Sequence, residues 1–259
     1  MKIPFYKCNG NGNSFIILLQ NNSFKKKISK NTIQTLCNLN NKDVDGCLTI
    51  NYTTDLIIVN YYNNDGSWET FCLNGLRCVA LIMHEILNKN NILIIMNNIS
   101  YKVRIESDSL VSVELSKPLY KMKNIKINNI SGDFIDSGAK HFVCNYNGDW
   151  NNGNIINQMK EIRYNELFKP HGVNVNYYKV INNNCIEVKT YEKGIEKIMD
   201  SCASGSYACA FDYSFKNNIY GKIKVLNDGG ISQITFNNSY KKNLFSAKAE
   251  IESKGEIEI

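Results

Sequence analysis

Apolar residues recur at helical spacing in two stretches of the chain, and each stretch follows a cysteine. After Cys72 they lie every three or four positions, which predicts an amphipathic helix that ends near Asn88. After Cys202 a shorter stripe of the same period runs from Tyr207 to Phe215. The pattern therefore predicts two helices that each begin beside a cysteine.

Alternating, β-rich runs precede both of these helices. They cover Leu56–Tyr62 in the first half of the chain and Cys185–Tyr191 in the second. Earlier in each half a glycine leads into a further run typical of a strand, at Gly12–Leu19 and at Gly138–Asn145. The two cysteines are 130 positions apart (202 − 72) and the two glycines 126 (138 − 12), close to half of the 259 residues. This offset predicts a duplicated chain.

A break in the strand pattern separates the two halves, because Pro118 interrupts the run Leu115–Lys121. We predict an α/β (α+β) protein of two pseudo-symmetric domains, residues 1–115 and 116–246, with a C-terminal strand at about 247–259 that returns to the first domain. Each domain is expected to be a twisted, mostly antiparallel sheet wrapped on a central helix. The active site is expected in the cleft between the domains.

Composition argues against several classes of protein. The 30 basic and 24 acidic residues give a net charge of +6 that is spread along the sequence, and no nucleic-acid recognition motif appears. The first residues contain no signal-peptide core, and the longest aliphatic runs are strand-sized, far short of the ~20 residues that span a bilayer. We therefore expect a cytoplasmic protein that binds neither nucleic acid nor membrane.

The nine cysteines are an odd number, which does not indicate a disulfide framework, so reduced thiols are expected. No Cys-x-x-Cys pair occurs, and Cys72 and Cys78 are not at a usual zinc spacing, so we expect no metal. Most of the cysteines are expected to be small buried hydrophobic residues, namely Cys8, Cys37, Cys47, Cys78, Cys144, Cys185 and Cys209.

Cys72 and Cys202 differ from the other cysteines because each precedes a predicted helix. The positive end of a helix dipole and unpaired backbone N–H groups stabilise a thiolate, and can lower its pKa from ~8.5 into the range ~3.5–7.5. The same N–H groups can hold a carboxylate. If two related domains face each other, two such sulfurs can remove a proton from one face of a carbon and deliver one to the other. A two-base racemase of this kind needs no cofactor.

Four motifs, in the right order along nearly the whole chain, resemble one known family. They are GNGNSF (Gly10–Phe15), NNDGSWETFCLNGLRC (Asn63–Cys78), NVNY (Asn174–Tyr177) and SCASG (Ser201–Gly205). The first resembles a Gly-x-Gly-Asn-Asp-Phe opening, and the second an Asn-Ala-Asp-Gly-Ser followed by Cys-Gly-Asn-Gly-x-Arg-Cys. The last is similar to Ala-Cys-Gly-Thr/Ser-Gly. The family is that of the cofactor-independent diaminopimelate epimerases.

This resemblance implies an isomerase of lysine biosynthesis that converts LL-diaminopimelate to meso-diaminopimelate, with Cys72 and Cys202 as the catalytic acid–base pair and no cofactor. It implies contacts between the substrate and side chains or backbone N–H groups of Asn13, Asn63, Leu73, Asn74, Asn174, Glu192, Lys193, Ala203 and Ser204. His141 and Glu192 are candidates for tuning the thiol pKa values. The expected partner is a small-molecule amino acid, and we allow for a homodimer.

The chain departs from the family at some of these positions. Ala139 stands where the family has asparagine and Lys193 where it has arginine, and both turn glycines are replaced, by Leu73 and Ala203. The first two changes remove donors for a distal carboxylate. A racemase of another amino acid on the same fold is therefore the alternative. A non-enzymatic thiol protein that binds a metal or senses oxidants is a further alternative. The phenazine-pathway isomerases are disfavoured, because they resemble the fold but lack the two cysteines.

Overall fold

The computed structural model describes residues 2–20, 28–38 and 44–258. The chain forms a mixed α+β fold in which strands predominate. Contacts between backbone segments divide it into two compact units. Unit 1 consists of Met1–Glu114 and Ser246–Ile259, and unit 2 of Leu115–Phe245.

Unit 1 contains the elements of the first part of the chain and the last two strands. They are β1 (Lys2–Gly10), β2 (Asn13–Gln20), α1 (Lys30–Cys37), β3 (Gly46–Tyr52), β4 (Ile57–Asn63), β5 (Trp68–Glu69), α2 (Leu73–Leu87), β6 (Asn91–Met96), β7 (Ile99–Ile105), β8 (Leu110–Leu115), β17 (Asn243–Lys248), which enters the unit at Ser246, and β18 (Glu250–Glu258).

The elements of unit 2 repeat the order of unit 1. They are β9 (Leu119–Ile127), β10 (Ile130–Asp136), β11 (Lys140–Asn145), α3 (Ile155–Arg163), a single 3₁₀ turn (Glu166–Phe168), β12 (Asn174–Asn182), β13 (Cys185–Tyr191), β14 (Ile198–Met199), α4 (Ala203–Asn217), β15 (Gly221–Asn227) and β16 (Gly230–Phe236).

Strand pairing repeats as well. In unit 1, β1 pairs antiparallel with β2 and with β18, β2 pairs parallel with β3, β3 antiparallel with β4, and β4 parallel with β6. In unit 2 the corresponding pairs are β10 with β11 and β9, β11 with β12, β12 with β13, and β13 with β15, in the same directions. The predicted duplication and the mostly antiparallel pairing are confirmed.

A central helix forms the core of each unit. In α2 the residues from Leu73 to Met83 are all buried, and in α4 those from Ala203 to Ser214. A helix that is buried all round must be surrounded by other elements. Within unit 1, α2 contacts β1, β2, β6, β7 and β18, and within unit 2, α4 contacts β11, β12, β13, β15 and β16. Each sheet therefore wraps around its helix, as predicted.

The helix ends follow from local chemistry. Asn88 and Asn218 have left-handed backbones, with φ 51° and 54°, and cap α2 and α4, a conformation that asparagine adopts more easily than most residues. The predicted end of the first helix near Asn88 is confirmed. Although its apolar stripe is shorter, α4 has 15 residues, the same length as α2. No helix among the described residues is both long and apolar enough to span a membrane.

Candidate active site

Cys72 is the N-cap residue of α2. Its backbone is extended, with φ −140° and ψ 103°, and its sulfur accepts a hydrogen bond of 3.4 Å from the Gly75 N–H. The Cys72 N–H donates to the Met96 sulfur, 3.5 Å away at the end of β6. The N–H groups of Leu73 and Asn74 lie in the first turn, where a helix supplies no carbonyl to accept them. The partly exposed thiol therefore lies at the positive end of α2.

Behind this helix end, four polar side chains form a chain of hydrogen bonds. Arg77 Nη2 donates to Asn74 Oδ1 at 3.0 Å, Asn74 Nδ2 donates to Asn13 Oδ1 at 3.2 Å, and Asn13 Nδ2 donates to Asp45 Oδ2 at 2.7 Å. The Ser14 N–H also donates to this carboxylate, at 2.9 Å. The structure thus brings together two predicted site residues, Asn13 and Asn74, between a cation and an anion.

Arg77 is fully buried on α2, and its guanidinium also donates to the carbonyl oxygens of Leu73, at 3.3 Å, and Lys248, at 3.4 Å. Burial lowers the pKa of Arg77 to about 10, and the thiols of Cys78 and Cys72 act in the opposite direction. Since this pKa is still far above neutrality, Arg77 is a cation at the start of the helix.

Close packing lets the first hairpin reach this helix end. A β-carbon on Gly10, the last residue of β1, would lie 2.9 Å from the carbonyl oxygen of Asn74. Only glycine allows the two backbones to approach this closely. The glycine of the GNGNSF motif therefore has a steric role in placing Asn13 beside Asn74.

Asn63 lies at the end of β4 and bonds to its own turn. Its side chain accepts from the Tyr61 hydroxyl at 3.0 Å and donates to the Ser67 hydroxyl at 3.0 Å. The residue is buried, with 4% of its surface exposed. In this structure Asn63 holds the turn that leads to Cys72, which is the ordinary role of asparagine in turns.

Cys202 repeats the position of Cys72 in unit 2. It is the N-cap of α4, with φ −128° and ψ 103°, and its carbonyl accepts from the Ser206 N–H at 2.8 Å. Its sulfur lies 3.6 Å from the Ser204 hydroxyl. Unlike Cys72, it is buried, with 7% of its surface exposed. The following residues Ala203 and Ser204 supply the first-turn N–H groups of α4.

The surroundings of Cys202 favour its neutral thiol. Burial raises the pKa of Cys202 well above its usual value, and the neighbouring Glu192 raises it further, since a negative charge disfavours a thiolate. The nearby Ser204 hydroxyl and Gly205 N–H act in the opposite direction. Glu192, a predicted tuning residue, is thus close enough to Cys202 to affect its ionisation.

His141 belongs to a second chain of hydrogen bonds, which ends at Cys202. Asn176 Nδ2 lies 2.9 Å from His141 Nδ1, and His141 Nε2 lies 3.1 Å from the Ser204 hydroxyl. The Thr190 hydroxyl donates to Asn176 Oδ1 at 2.8 Å, which turns the amide N–H group of Asn176 toward the imidazole. His141 Nε2 must then be the ring nitrogen that carries the proton. This leaves the Ser204 O–H to donate to Cys202.

The imidazole of His141 is fully buried, and burial lowers its pKa to about 3. It is therefore neutral over the physiological range. The start of α4 packs tightly on this network, since a β-carbon on Gly205 would clash with the Asn176 side chain. His141 lies near Cys202 as a neutral donor to Ser204.

The remaining predicted residues of unit 2 meet in one loop. Asn174 Oδ1 accepts from the Lys193 N–H at 2.8 Å, and Asn174 Nδ2 donates to the Lys140 carbonyl at 3.3 Å. Ala139 lies in the turn before β11, where its carbonyl accepts from the Ser137 N–H at 3.0 Å. Asn174 therefore connects this turn to the segment that carries Glu192 and Lys193.

Sequence reasoning missed Asp45, Arg77, Asn176 and Thr190, which hold the predicted residues in place. Arg77 and Asn176 lie inside the quoted motifs NNDGSWETFCLNGLRC and NVNY, which is a signal that was available. For Asp45 and Thr190 the sequence offers no signal. The side chain of Leu73, in the first turn of α2, is buried, so the group it can offer a ligand is its backbone N–H.

The other seven cysteines are buried, as predicted. No three His, Cys, Asp or Glu residues within 2–20, 28–38 and 44–258 are grouped so that they could hold a metal ion. Each unit thus offers one thiol at a helix N-terminus, first-turn N–H donors, and a buried polar chain behind them. Such a group can exchange a proton with a carbon acid and hold a carboxylate.

Comparison with known proteins identifies the family and the fold of the chain. No family model matches the chain. The diaminopimelate epimerase of Aquifex aeolicus (strain VF5) is 30% identical over 260 residues, which cover 93% of this chain and 92% of that protein. Among solved structures, a hydroxyproline epimerase from Agrobacterium vitis covers 99% of this chain and 92% of its own, with a TM-score of 0.76 and 8% identity.

A phenazine biosynthesis protein of the PhzF family from Enterococcus faecalis covers 100% of both chains, with a TM-score of 0.72 and 11% identity. At such low identity these two structures share only the fold with this chain. They confirm the predicted α+β architecture, whereas the sequence relative carries information about the family.

Proposed function

Because the chain belongs to the diaminopimelate epimerase family and is therefore an isomerase, we propose that it converts LL-diaminopimelate to meso-diaminopimelate. In this proposal Cys72 and Cys202 exchange protons with the α carbon and no cofactor takes part. Because the chain is an isomerase, the alternative of a non-enzymatic thiol protein is excluded.

One observation carries the proposal: both cysteines are N-cap residues of 15-residue central helices and have nearly the same backbone conformation. Their sulfurs are therefore presented to a ligand beside first-turn N–H donors. Loss of the α proton builds negative charge on the adjacent carboxylate. Fixed donors at Leu73, Asn74, Ala203 and Ser204 stabilise that charge, the kind of preorganised stabilisation that is usually the largest catalytic contribution.

The two thiols have different roles in the resting enzyme. Burial and the negative charge of Glu192 raise the pKa of Cys202, so Cys202 holds its proton at neutral pH. The base that removes the α proton is then Cys72, and Cys202 delivers a proton to the other face. For the reverse reaction the two roles exchange, as a two-base mechanism requires.

The test is exchange of the α proton with solvent. The purified protein is incubated in D₂O with LL-diaminopimelate, meso-diaminopimelate and a panel of monocarboxylic amino acids, and α-deuterium and configuration are measured by mass spectrometry and chiral chromatography. We expect deuterium and inverted configuration in diaminopimelate, and no inversion after either Cys72→Ala or Cys202→Ala, because each variant keeps only one of the two bases. Cys78→Ala is the matched control, since Cys78 is buried within α2 away from the helix start. Inversion that persists in both thiol variants would contradict the mechanism.

A racemase of another amino acid is the second candidate, and the residues at the distal site favour it. Ala139 has no side-chain donor, and Lys193 provides a point charge where an arginine would provide a planar fork. The same panel decides between the two. Exchange in a monocarboxylic amino acid, with none in diaminopimelate, would select this alternative.

A further inference from the structure

We propose that Asp45 and Arg77 are positioning residues that fix the amide orientation of Asn13 and Asn74, so that unit 1 faces its ligand with N–H donors and selects a carboxylate. The inference rests on the proposed function, because it specifies how the same site recognises the acid group of its substrate. It assigns a role to Asp45 and to Arg77. The sequence motifs alone assign no role to either residue.

The charged groups at the two ends of the chain determine the direction of its hydrogen bonds. A guanidinium can only donate hydrogen bonds, and an ionised carboxylate can only accept them. Between these ends the two amides must point the same way: the oxygen of Asn74 toward Arg77, at 3.0 Å, and the nitrogen of Asn13 toward Asp45, at 2.7 Å. In the hydrogen bond between the two amides, which is 3.2 Å long, Asn74 is then the donor and Asn13 the acceptor.

Any other orientation places like groups together. If Asn74 turned over, its N–H₂ would face the guanidinium and its oxygen would face the oxygen of Asn13. If Asn13 turned over, its oxygen would face the carboxylate of Asp45. A buried polar group that lacks a partner costs about 1–3 kcal/mol. The charged ends therefore select one orientation for both amides.

Backbone groups hold the ends of the chain. Asp45 also accepts from the Ser14 N–H at 2.9 Å, at the start of β2. Arg77 also donates to the Leu73 carbonyl at 3.3 Å and to the Lys248 carbonyl at 3.4 Å. Neither end can rotate without losing these bonds, so strand β2, helix α2 and strand β17 together determine which way the amides point.

The polarity that results suits an anion. The side-chain oxygens of Asn13 and Asn74 each already accept a hydrogen bond within the chain. Asn13 uses one of its two amide hydrogens on Asp45, and no other bond of its amide nitrogen occurs among the described residues. The first-turn N–H groups of α2 lie beside it. A carboxylate, which only accepts, matches this set of donors, whereas a carboxamide would bring an N–H₂ with no acceptor to receive it.

The test exchanges the donor and the acceptor of the hydrogen bond between residues 13 and 45. In Asn13→Asp two carboxylates face each other, so one must keep a proton and its folded-state pKa rises above the unfolded value. The stability of this variant is then greatest below the unfolded pKa of about 3.9 and falls as the pH rises, so it is lower at pH 8 than at pH 5. We expect its melting temperature at pH 8 to fall by at least about 5 °C.

Adding Asp45→Asn removes the second carboxylate and lets an N–H₂ donate to the carboxylate at position 13. Because Oδ2 of Asp45 accepts from both Asn13 and the Ser14 N–H, this orientation gives up the bond from Ser14. We therefore expect Asn13→Asp/Asp45→Asn to lose the pH dependence and to recover part of the melting temperature. The KM for a carboxylate substrate stays raised by at least about tenfold in both variants, because residue 13 can no longer donate. Recovery of the fold without recovery of carboxylate recognition is the signature of the proposal.

Ser112→Ala is the control, since it removes another buried hydrogen bond of unit 1, the 2.7 Å contact between the Ser112 and Ser246 hydroxyls. It should lower the melting temperature equally at both pH values and leave KM unchanged. If Asn13→Asp fails to fold, a double variant that does fold shows the same rescue. The inference is overturned if Asn13→Asp is as stable as the unchanged protein at pH 8, if the double variant gains nothing, or if its KM returns to normal.

Failure of the proposed function gives a different result. The melting experiments need no turnover, so a protein that exchanges no amino acid with solvent can still show the rescue, and the orientation of the amides then stands. Normal turnover of diaminopimelate by the unchanged protein, without the rescue, overturns the inference and leaves the proposed function intact.

Discussion

Cys72 and Cys202 have nearly the same backbone conformation, with φ −140° and ψ 103° in one and φ −128° and ψ 103° in the other. Each ends an extended segment and caps a central helix. Their surroundings differ, because Cys72 is partly exposed near a buried arginine, whereas Cys202 is buried beside Glu192. The duplication has thus preserved the backbone conformation of the two cysteines, whereas their burial and charged neighbours differ.

Replacement of either capping cysteine should stop the reaction without unfolding the protein. In Cys72→Ala or Cys202→Ala we expect the rate of epimerisation to fall by at least about 10²–10⁴-fold, the usual contribution of a positioned acid or base. In the proposed mechanism each thiol serves one face of the carbon, so the other cannot replace it. Rates are measured in both directions, with circular dichroism as the check on folding. Near-normal rates in either variant would show that the cysteine is not an acid or base of the reaction.

Glu192→Gln should make Cys202 more reactive. The substitution removes the negative charge that raises the pKa of Cys202, so the thiolate fraction increases, by about tenfold for each pKa unit. The rate at which iodoacetamide modifies Cys202 at pH 8, followed by mass spectrometry, reports this change. Glu187→Gln is the control, because Glu187 bonds to Trp150 at 2.5 Å and is not among the groups that most strongly shift the pKa of Cys202. An unchanged alkylation rate in Glu192→Gln would remove Glu192 from any tuning role.

The neutral imidazole of His141 should make the protein less stable in acid. Its folded pKa is lowered to about 3, below the unfolded value of about 6.5, so the unfolded chain takes up this proton first as the pH falls. Stability is fully present above the unfolded pKa and declines below it by about 1.4 kcal/mol per pH unit. Urea unfolding at pH 7.5 and pH 5 should therefore show about 2 kcal/mol from this group.

His141→Gln should abolish that part of the pH dependence while keeping a side-chain donor for Ser204. Ser112→Ala is the control, because it removes a buried hydrogen bond but no titratable group, and it should leave the pH dependence as it was. If wild type and His141→Gln lost equal stability between pH 7.5 and pH 5, the imidazole would be ionising normally in the folded protein.

Restoring the family's residues at the distal site should improve diaminopimelate as a substrate. Ala139→Asn with Lys193→Arg supplies an amide and a planar guanidinium, and one charged hydrogen bond contributes about 1.5–3 kcal/mol. That corresponds to a gain of roughly ten- to a hundredfold in kcat/KM. The gain is measured with LL- and meso-diaminopimelate and compared with a monocarboxylic amino acid, for which we expect none. Efficient turnover by the unchanged protein with no gain in the double variant would show that Lys193 already meets the distal group.

The sequence by itself determined the elements that carry the thiols. The helical spacing after Cys72 and Cys202, the strands Ile57–Asn63 and Cys185–Tyr191, and the half-chain offset were all readable, because periodicity and turn residues act over a few positions. The motifs also led to Asn13 and Asn74, and the family resemblance to His141, since a recurring pattern of residues preserves a site even where its contacts are unknown.

Only the tertiary structure decided how those residues are held and charged. Asp45 meets Asn13 across 32 positions, His141 meets Ser204 across 63, and Arg77 meets the Lys248 carbonyl across 171. The burial that keeps Cys202 protonated and His141 neutral likewise comes from every element packed around them. Local patterns specify which residues form a helix or strand, but the direction of a hydrogen bond and the pKa of a group depend on neighbours that only folding brings together.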